Sequence, residues 1–358
     1  MTTAYRVLVI SGTTNFATEP SGVDRELLAL ARLRAGIGQG GTQLGVLTFA
    51  QGSADIAQFY AEQGAARVFA PAQSLTDALP AARVELVVQA ITEFGPDVVL
   101  APHDIDSIEL LGRVAVRLGN SEAGSRPVGV VTGAHDVDDA LNIHKNVLAG
   151  EYDSTVRVEG LPLVTLRPNS VDTAAAPTAV GEGVLTTYTL PGYDTVRITE
   201  ITEKPASTRP DLEEAAIVVA AGRGIGGNLA PIEDLADALG AAIGSTRAVT
   251  DAGWLDHSTQ IGQTGKSVSP ELYVSVGISG ALQQKVGMDT SKTIVAINKD
   301  ADAPYSRLPT SASLGIFSLS SRRRCRKSTN GNRNNAREPG VSGWSWCASA
   351  PPANNGTG

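Results

Sequence analysis

Cysteine is nearly missing from this 358-residue chain: there are two, Cys325 and Cys347, both beyond Pro304. Residues 1–304 therefore have no disulfide framework, no thiolate metal site and no cysteine nucleophile. Aromatic residues make up only 4%, and two of the three tryptophans, Trp344 and Trp346, share the same terminal stretch. Long apolar runs are missing too. The best, Ala215–Ala221, falls far short of the ~20 residues that cross a bilayer. The opening Met-Thr-Thr-Ala-Tyr-Arg-Val-Leu-Val-Ile reads as a strand, with no charged leader before a long apolar core. The expectation is a cytoplasmic protein without a membrane segment.

What is present divides in two. The formal charge of −8 argues against a nucleic-acid binder, but it averages unlike segments. From Tyr305 onwards eight Lys or Arg stand against the single acid Glu338, a net of +7. Residues 1–304 hold 21 basic and 36 acidic residues, a net of −15. Their composition is that of a soluble α/β protein, and the length allows about two domains with real cores. Beyond Pro304, Ser, Arg, Asn, Gly and Pro dominate and periodicity is lost. The run Arg322-Arg323-Arg324-Cys325-Arg326-Lys327 reads as a solvated tail before it reads as a nucleic-acid or targeting signal.

Short β-branched runs recur at Val7–Ile10, Leu44–Phe49, Arg67–Phe69, Val98–Leu100 and Val128–Val131. Helical patterns alternate with them at Asp24–Arg34, Ser53–Gln63, Ala78–Phe94 and Asp106–Arg117. This alternation predicts a parallel sheet covered on both faces. Around Val156–Thr165, and again at Val184–Leu190 and Val196–Ile201, short alternating stretches predict antiparallel additions at the sheet edge. The polar, proline-bearing Glu203–Asp211 reads as a linker. A second α/β unit follows, with strands at Ala215–Ala221, Ala248–Thr250, Leu272–Val276 and Thr293–Ile297 and a helix at Ile232–Ile243.

Three glycine constellations bear on function. Gly222-Arg223-Gly224-Ile225-Gly226-Gly227 follows a strand and satisfies G-x-G-x-x-G. No helix follows at once, and no acidic ribose anchor stands on a following strand. A nicotinamide site, a plain tight turn and phosphate binding of another geometry all stay open. Gln260-Ile261-Gly262-Gln263-Thr264-Gly265-Lys266-Ser267 nearly matches a Walker A loop, but Gln260 stands where glycine is required and no strand precedes it. Gly277-Ile278-Ser279-Gly280 lies between a strand and a helix start, where N–H groups and a hydroxyl can meet an anion. Its spacing does not fit a nucleophile elbow. His103-Asp104-Ile105-Asp106 has metal-ligand residue types, although helix capping accounts for carboxylates in that place.

In order along the chain, Gly222-Arg223-Gly224, Gly244-Ser245-Thr246-Arg247, Asp251-Ala252-Gly253-Trp254, Gln260 to Lys266, Pro270-Glu271-Leu272-Tyr273, Gly277 to Gly280 and Thr293 to Asp300 closely resemble the FAD-binding domain of the electron transfer flavoprotein α subunits. Arg167-Pro168-Asn169-Ser170 extends the resemblance into the first half, which covers residues 4–304 in all. It implies an α/β fold of two domains: an N-terminal nucleotide-binding-like (α-hydrolase-like) domain over 1–202 and, after a linker at 203–211, a Rossmann-like FAD-binding domain over 212–304.

The resemblance also implies function. FAD is the expected cofactor, with AMP in a β subunit that completes a heterodimer. The pair would shuttle single electrons from dehydrogenases such as acyl-CoA dehydrogenases to a quinone oxidoreductase, with no turnover of its own. Arg223 is expected at the FAD phosphate or ribitol, and Thr246 and Arg247 beside the isoalloxazine. Arg247 would offset negative charge on the reduced ring. Gln260, Gln263 and Thr264 match positions on the ribityl chain and flavin edge. Ser279, with Gly280 beside it, matches a pyrophosphate ligand, and Asn298 a contact on the adenosine side.

Two departures stand out. Many members have histidine, near the flavin's C2 carbonyl, where this chain has Gln284, a cofactor-binding position whose amide donates a hydrogen bond but carries no charge. After Ala303-Pro304 members continue with Ile-Phe, an Ala-Asp-x-Gly segment and a final helix, none of which is present. The stretch 305–358 is expected to be a frameshift product, and failure to find the missing continuation in the neighbouring reading frame would sink that idea. The competing readings are a nicotinamide-dependent Rossmann oxidoreductase and a nucleotide-binding module without a redox role.

Overall fold

A computed structural model describes residues 5–12, 21–35, 44–75, 80–119, 126–148, 152–175, 180–190, 200, 208–300, 302–307 and 312–314. The first half alternates as its periodicity predicts: β1 (Val7–Ile10), α1 (Gly22–Arg34), β2 (Leu44–Leu47), α2 (Ala54–Glu62), β3 (Arg67–Pro71), α3 (Pro80–Phe94), β4 (Val98–Pro102) and α4 (Ile105–Gly119). Capping serines fix two helix starts, Ser21 accepting from the Asp24 N–H and Ser53 from the Ile56 N–H. Then come β5 (Val128–Ala134), β6 (Asp136–Val137), β7 (Ile143–Val147), β8 (Tyr152–Val156), β9 (Leu161–Leu166) and β10 (Val184–Tyr188).

Seven of these strands form one sheet in the order β10-β3-β2-β1-β4-β9-β5, parallel throughout. Strand period sorts β1 between two cores. Val7 and Val9 pack with Leu27, Leu30 and Tyr60, while Leu8 and Ile10 pack with Leu86, Ile91 and Leu111.

The expected antiparallel edges are corrected here. Leu161–Leu166 is a buried parallel strand inside the sheet, as its unbroken apolar run allows. Val184–Tyr188 does lie at the edge, but parallel to β3. The antiparallel pairing belongs to a separate three-stranded sheet, β6-β7-β8. The stretch expected at Val196–Ile201 lies outside the described residues except for Glu200, as does most of the expected linker.

The second half builds β11 (Ile217–Ala221), α5 (Ala230–Leu239), β12 (Ala242–Ser245), α6 (Arg247–Asp251), β13 (Leu272–Val276), α7 (Leu282–Lys285), β14 (Thr293–Asn298) and β15 (Ala312–Leu314). Its parallel sheet has the order β12-β11-β13-β14-β15. The helix expected to reach Ile243 stops earlier, because Gly240 takes the left-handed conformation (φ 62°) and caps it. The strand therefore falls at Ala242–Ser245, and Ala248–Thr250 lies within α6.

Packing does not end at Pro304. Tyr305 is 1% exposed in the core beneath this sheet, and Ala312–Leu314 pairs with β14. Residues 315–358, including both cysteines and the basic run, lie outside the described residues. Among the described residues no helix is long and apolar enough to cross a membrane.

Candidate functional site

Strand order places the site. From β11 the chain moves outward to β12, then returns to the other side of β11 as β13, so the topology switches between β11 and β13. Open parallel sheets hold ligands at such a point, at the carboxyl ends of the strands. A cavity of about 820 Å³ lies there, within the range of small-molecule sites.

Two glycine loops form its floor. The Gly222 N–H donates to the Val276 carbonyl at 2.8 Å, and the Gly224 N–H to the Gly277 carbonyl at 2.9 Å. The loops touch backbone to backbone: a Cβ on Gly224 would stand 2.8 Å from the Gly277 Cα, and Gly277 has φ 66°. Only glycine permits this approach and this dihedral together.

Of the ten residues expected at the cofactor, nine line the cavity: Arg223, Thr246, Arg247, Gln260, Gln263, Thr264, Ser279, Gln284 and Asn298. Gly280 does not. It lies behind the wall with φ 85°, where a Cβ would meet the Tyr305 ring at 2.5 Å.

The nine differ in what they leave open. The exposed Arg223 guanidinium and the Gln263 and Ser279 side chains make no hydrogen bond or ion pair among the described residues. Arg247 is 71% exposed and pairs with Asp251 at 3.3 Å across one helical turn. A surface pair of this kind holds a side chain weakly. Thr246 starts α6 without using its hydroxyl as a cap.

Three amides are already engaged. Gln260 accepts from the Thr250 hydroxyl at 3.1 Å and donates to Thr264 at 3.0 Å, closing its own loop. Asn298 donates to the Ile278 carbonyl at 2.8 Å and accepts from the Asp300 N–H at 3.1 Å, tying the β14 end to the glycine loop. Gln284 bonds two buried tyrosines, Tyr273 and Tyr305. Sequence reasoning missed both as site residues. Their partnership spans 11 and 21 residues, and no local periodicity carries it.

The competing motifs lose their chemistry. Lys266 of the Walker-like loop pairs with Glu213 at 2.8 Å and does not line this cavity. At the end of β12, where a nicotinamide site needs an acid for the ribose, stand Ser245, Thr246 and Arg247. Asp104 caps α4, accepting from the Ser107 N–H at 2.6 Å and hydroxyl at 3.1 Å. His103 meets the Thr165 hydroxyl at 2.8 Å, and burial, reinforced by Arg167 and Lys145, brings its pKa down to about 4. No cluster able to hold a metal occurs among the described residues.

The donor set suits an anionic dinucleotide: two guanidinium groups, free hydroxyls and close-packed glycine backbone at a helix-flanked sheet end. The comparisons agree. Residues 211–289 match the family model for the electron transfer flavoprotein FAD-binding domain, and residues 13–193 match that for the electron transfer flavoprotein domain. Over 246 residues the chain is 39% identical to the electron transfer flavoprotein subunit α of Mycobacterium leprae, covering 67% of this chain and 74% of that protein. Over 273 residues it is 36% identical to the same subunit of Syntrophomonas wolfei, covering 74% and 83%. The Paracoccus denitrificans subunit shares 38% over 231 residues, covering 62% and 70%.

Proposed function

We propose, from the premise that this chain belongs to the electron transfer flavoprotein α-subunit family, that it carries single electrons from flavoprotein dehydrogenases towards a quinone oxidoreductase. Acyl-CoA dehydrogenases are the donors this reading names. The chain acts as a heterodimer with its β subunit in the cytoplasm, as a carrier that turns over no substrate of its own.

The observation that carries the reading is the switch-point cavity, where, among the described residues, Arg223 has no partner and Arg247 is held only by an exposed pair. FAD, when bound, supplies a ring that takes up and releases electrons one at a time. Arg223 and the Ser279 hydroxyl are the groups that would hold the diphosphate, through charge-assisted bonds about twice as strong as neutral ones. Arg247 would set its guanidinium charge against negative charge added to the ring. Gln263, Thr264 and Thr246 offer an amide and two hydroxyls to the sugar-alcohol chain and ring edge. Gln260 and Asn298 keep their loops in place through the bonds described above, and Ile261 and Ile278 limit water at the cavity wall.

The test mixes the oxidised αβ complex anaerobically with a dehydrogenase reduced by its acyl-CoA. The reading predicts that the flavin absorbance of the complex falls as the dehydrogenase is reoxidised. A complex that stays oxidised there, but is reduced by NADH alone, would contradict it.

A further inference from the structure

The first sheet has a switch point of its own. From β1 the chain steps outward to β2 and β3, then crosses to the other side of β1 as β4. Ligands of open parallel sheets sit at such a point. A second cavity, of about 420 Å³, opens at the carboxyl ends of β1 and β4 and shares no lining residue with the cavity of the second sheet. A close approach forms its floor: a Cβ on Gly12, just past β1, would stand 3.1 Å from the Pro102 Cγ at the end of β4. Asp24 fixes that turn, accepting from the Gly12 N–H at 3.0 Å and the Ser11 hydroxyl at 3.1 Å.

The lining says what fits. Part of the wall is flat, because the Arg83 guanidinium lies over the Phe49 ring, 5.0 Å from its centroid, while its Nε donates to the Leu75 carbonyl at 3.1 Å. A guanidinium braced in this way stacks on planar bases. Ile10, Pro102 and Leu110 add apolar surface. Three carboxylates, Asp104, Asp106 and Glu213, line the same space. Asp104 occupies the positive end of α4 with its own charge, accepting from the Ser107 N–H and hydroxyl. Lys266 is drawn to Glu213, and Arg83 to its ring and carbonyl, so both cations of the lining are engaged. A phosphate would meet carboxylates there. Asp106 is exposed and, among the described residues, makes no hydrogen bond or ion pair, so it can accept from a hydroxyl.

We propose that this second cavity binds a ribonucleoside without phosphate, its base stacked on the Arg83–Phe49 wall and its ribose hydroxyls donating to Asp106 and Glu213. Acidic side chains at a switch point take ribose hydroxyls in this manner. The flat wall selects a planar base over an aliphatic amine, and the carboxylates select the nucleoside over its phosphate ester.

The test uses the full chain in complex with its β subunit and measures binding of labelled adenosine, and of AMP in parallel, by equilibrium dialysis. Any site on the β subunit is common to all variants, so the readout is what changes with this chain. Asp106→Arg should weaken adenosine binding about tenfold, through loss of a charged acceptor, and should strengthen AMP binding by supplying a phosphate partner. Arg83→Met keeps the bulk of the side chain but removes its plane, and should also weaken adenosine about tenfold. Should Asp106→Arg fail to fold, Asp106→Asn carries the same expected loss of adenosine. Adenosine binding that is absent from the unaltered complex, or equal in all variants, would overturn the proposal. So would AMP binding that falls in Asp106→Arg, since the phosphate ester would then be a ligand of the unaltered site. None of these outcomes depends on flavin content, so this site and the FAD reading can fail separately.

Discussion

Arg167, just past β9, and Asp289, just past α7, form an ion pair at 3.5 Å with side chains only 14% and 7% exposed. The pair joins the first sheet to the FAD-binding half. Its neighbours are placed with equal care: the Glu26 carboxylate accepts from the N–H groups of Asn169 at 2.7 Å, Ser170 at 2.7 Å and Val171 at 3.0 Å. The Arg167-Pro168-Asn169-Ser170 stretch is thus pinned at both ends. Burial pushes the pKa of Asp289 up, against the pull of Arg167, so desolvation outweighs the attraction.

Removing one partner should therefore cost more than removing both. Arg167→Met leaves a buried carboxylate and should lower stability by about 2–3 kcal/mol at pH 7, somewhat under the range for a fully buried pair. The double variant with Asp289→Asn should recover most of that loss. Urea unfolding at pH 7 measures both, and equal losses in the single and double variants would contradict the account.

His103 predicts a pH dependence. Its folded pKa of about 4 lies below the ordinary value of 6.5, so the unfolded chain binds the proton first as pH falls. Stability from this group is full above pH 6.5 and is lost progressively down to about pH 4. Arg167 and Lys145 are the charged groups that reinforce the shift. Between pH 7 and pH 5 the loss should be about 2 kcal/mol. In His103→Asn that part of the slope should vanish, as urea midpoints at the two pH values will show.

The glycine floor of the cavity predicts a binding defect. Gly277 has φ 66°, and a Cβ there would stand 2.9 Å from the Gly224 Cα. Gly277→Ala must displace both loops at the β11 and β13 ends. FAD affinity should fall at least about tenfold, the equivalent of ~1.4 kcal/mol, with a smaller loss in overall stability. Fluorescence titration of FAD measures it, and unchanged affinity would contradict the close-packed floor.

Much of this was legible in the sequence because it is local. Alternating runs gave the first parallel sheet, and the glycine and glutamine motifs marked the loops that converge on the cavity. Gly240 is a helix stop, but the apolar Ala241–Ile243 continues a helical pattern past it and hides the strand at Ala242–Ser245. Leu161–Leu166 is an unbroken apolar run, whose place between β4 and β5 is set by tertiary burial and not by its own pattern. The engaged amides of Gln260, Gln284 and Asn298 depend on partners brought together by folding. Spacing could mark those residues as important without showing whether their side chains face the cofactor or brace the wall.

The central claim is that the cavity between the β11 and β13 ends holds FAD and passes electrons singly. Stepwise anaerobic reduction of the purified αβ complex, followed by its visible spectrum, tests it most directly. The account predicts one FAD for each copy of this chain, reduced in two separated one-electron steps, with the first step moved to lower potential by Arg247→Met. A complex without flavin, or one reduced in a single two-electron step whether or not Arg247 is present, would contradict it.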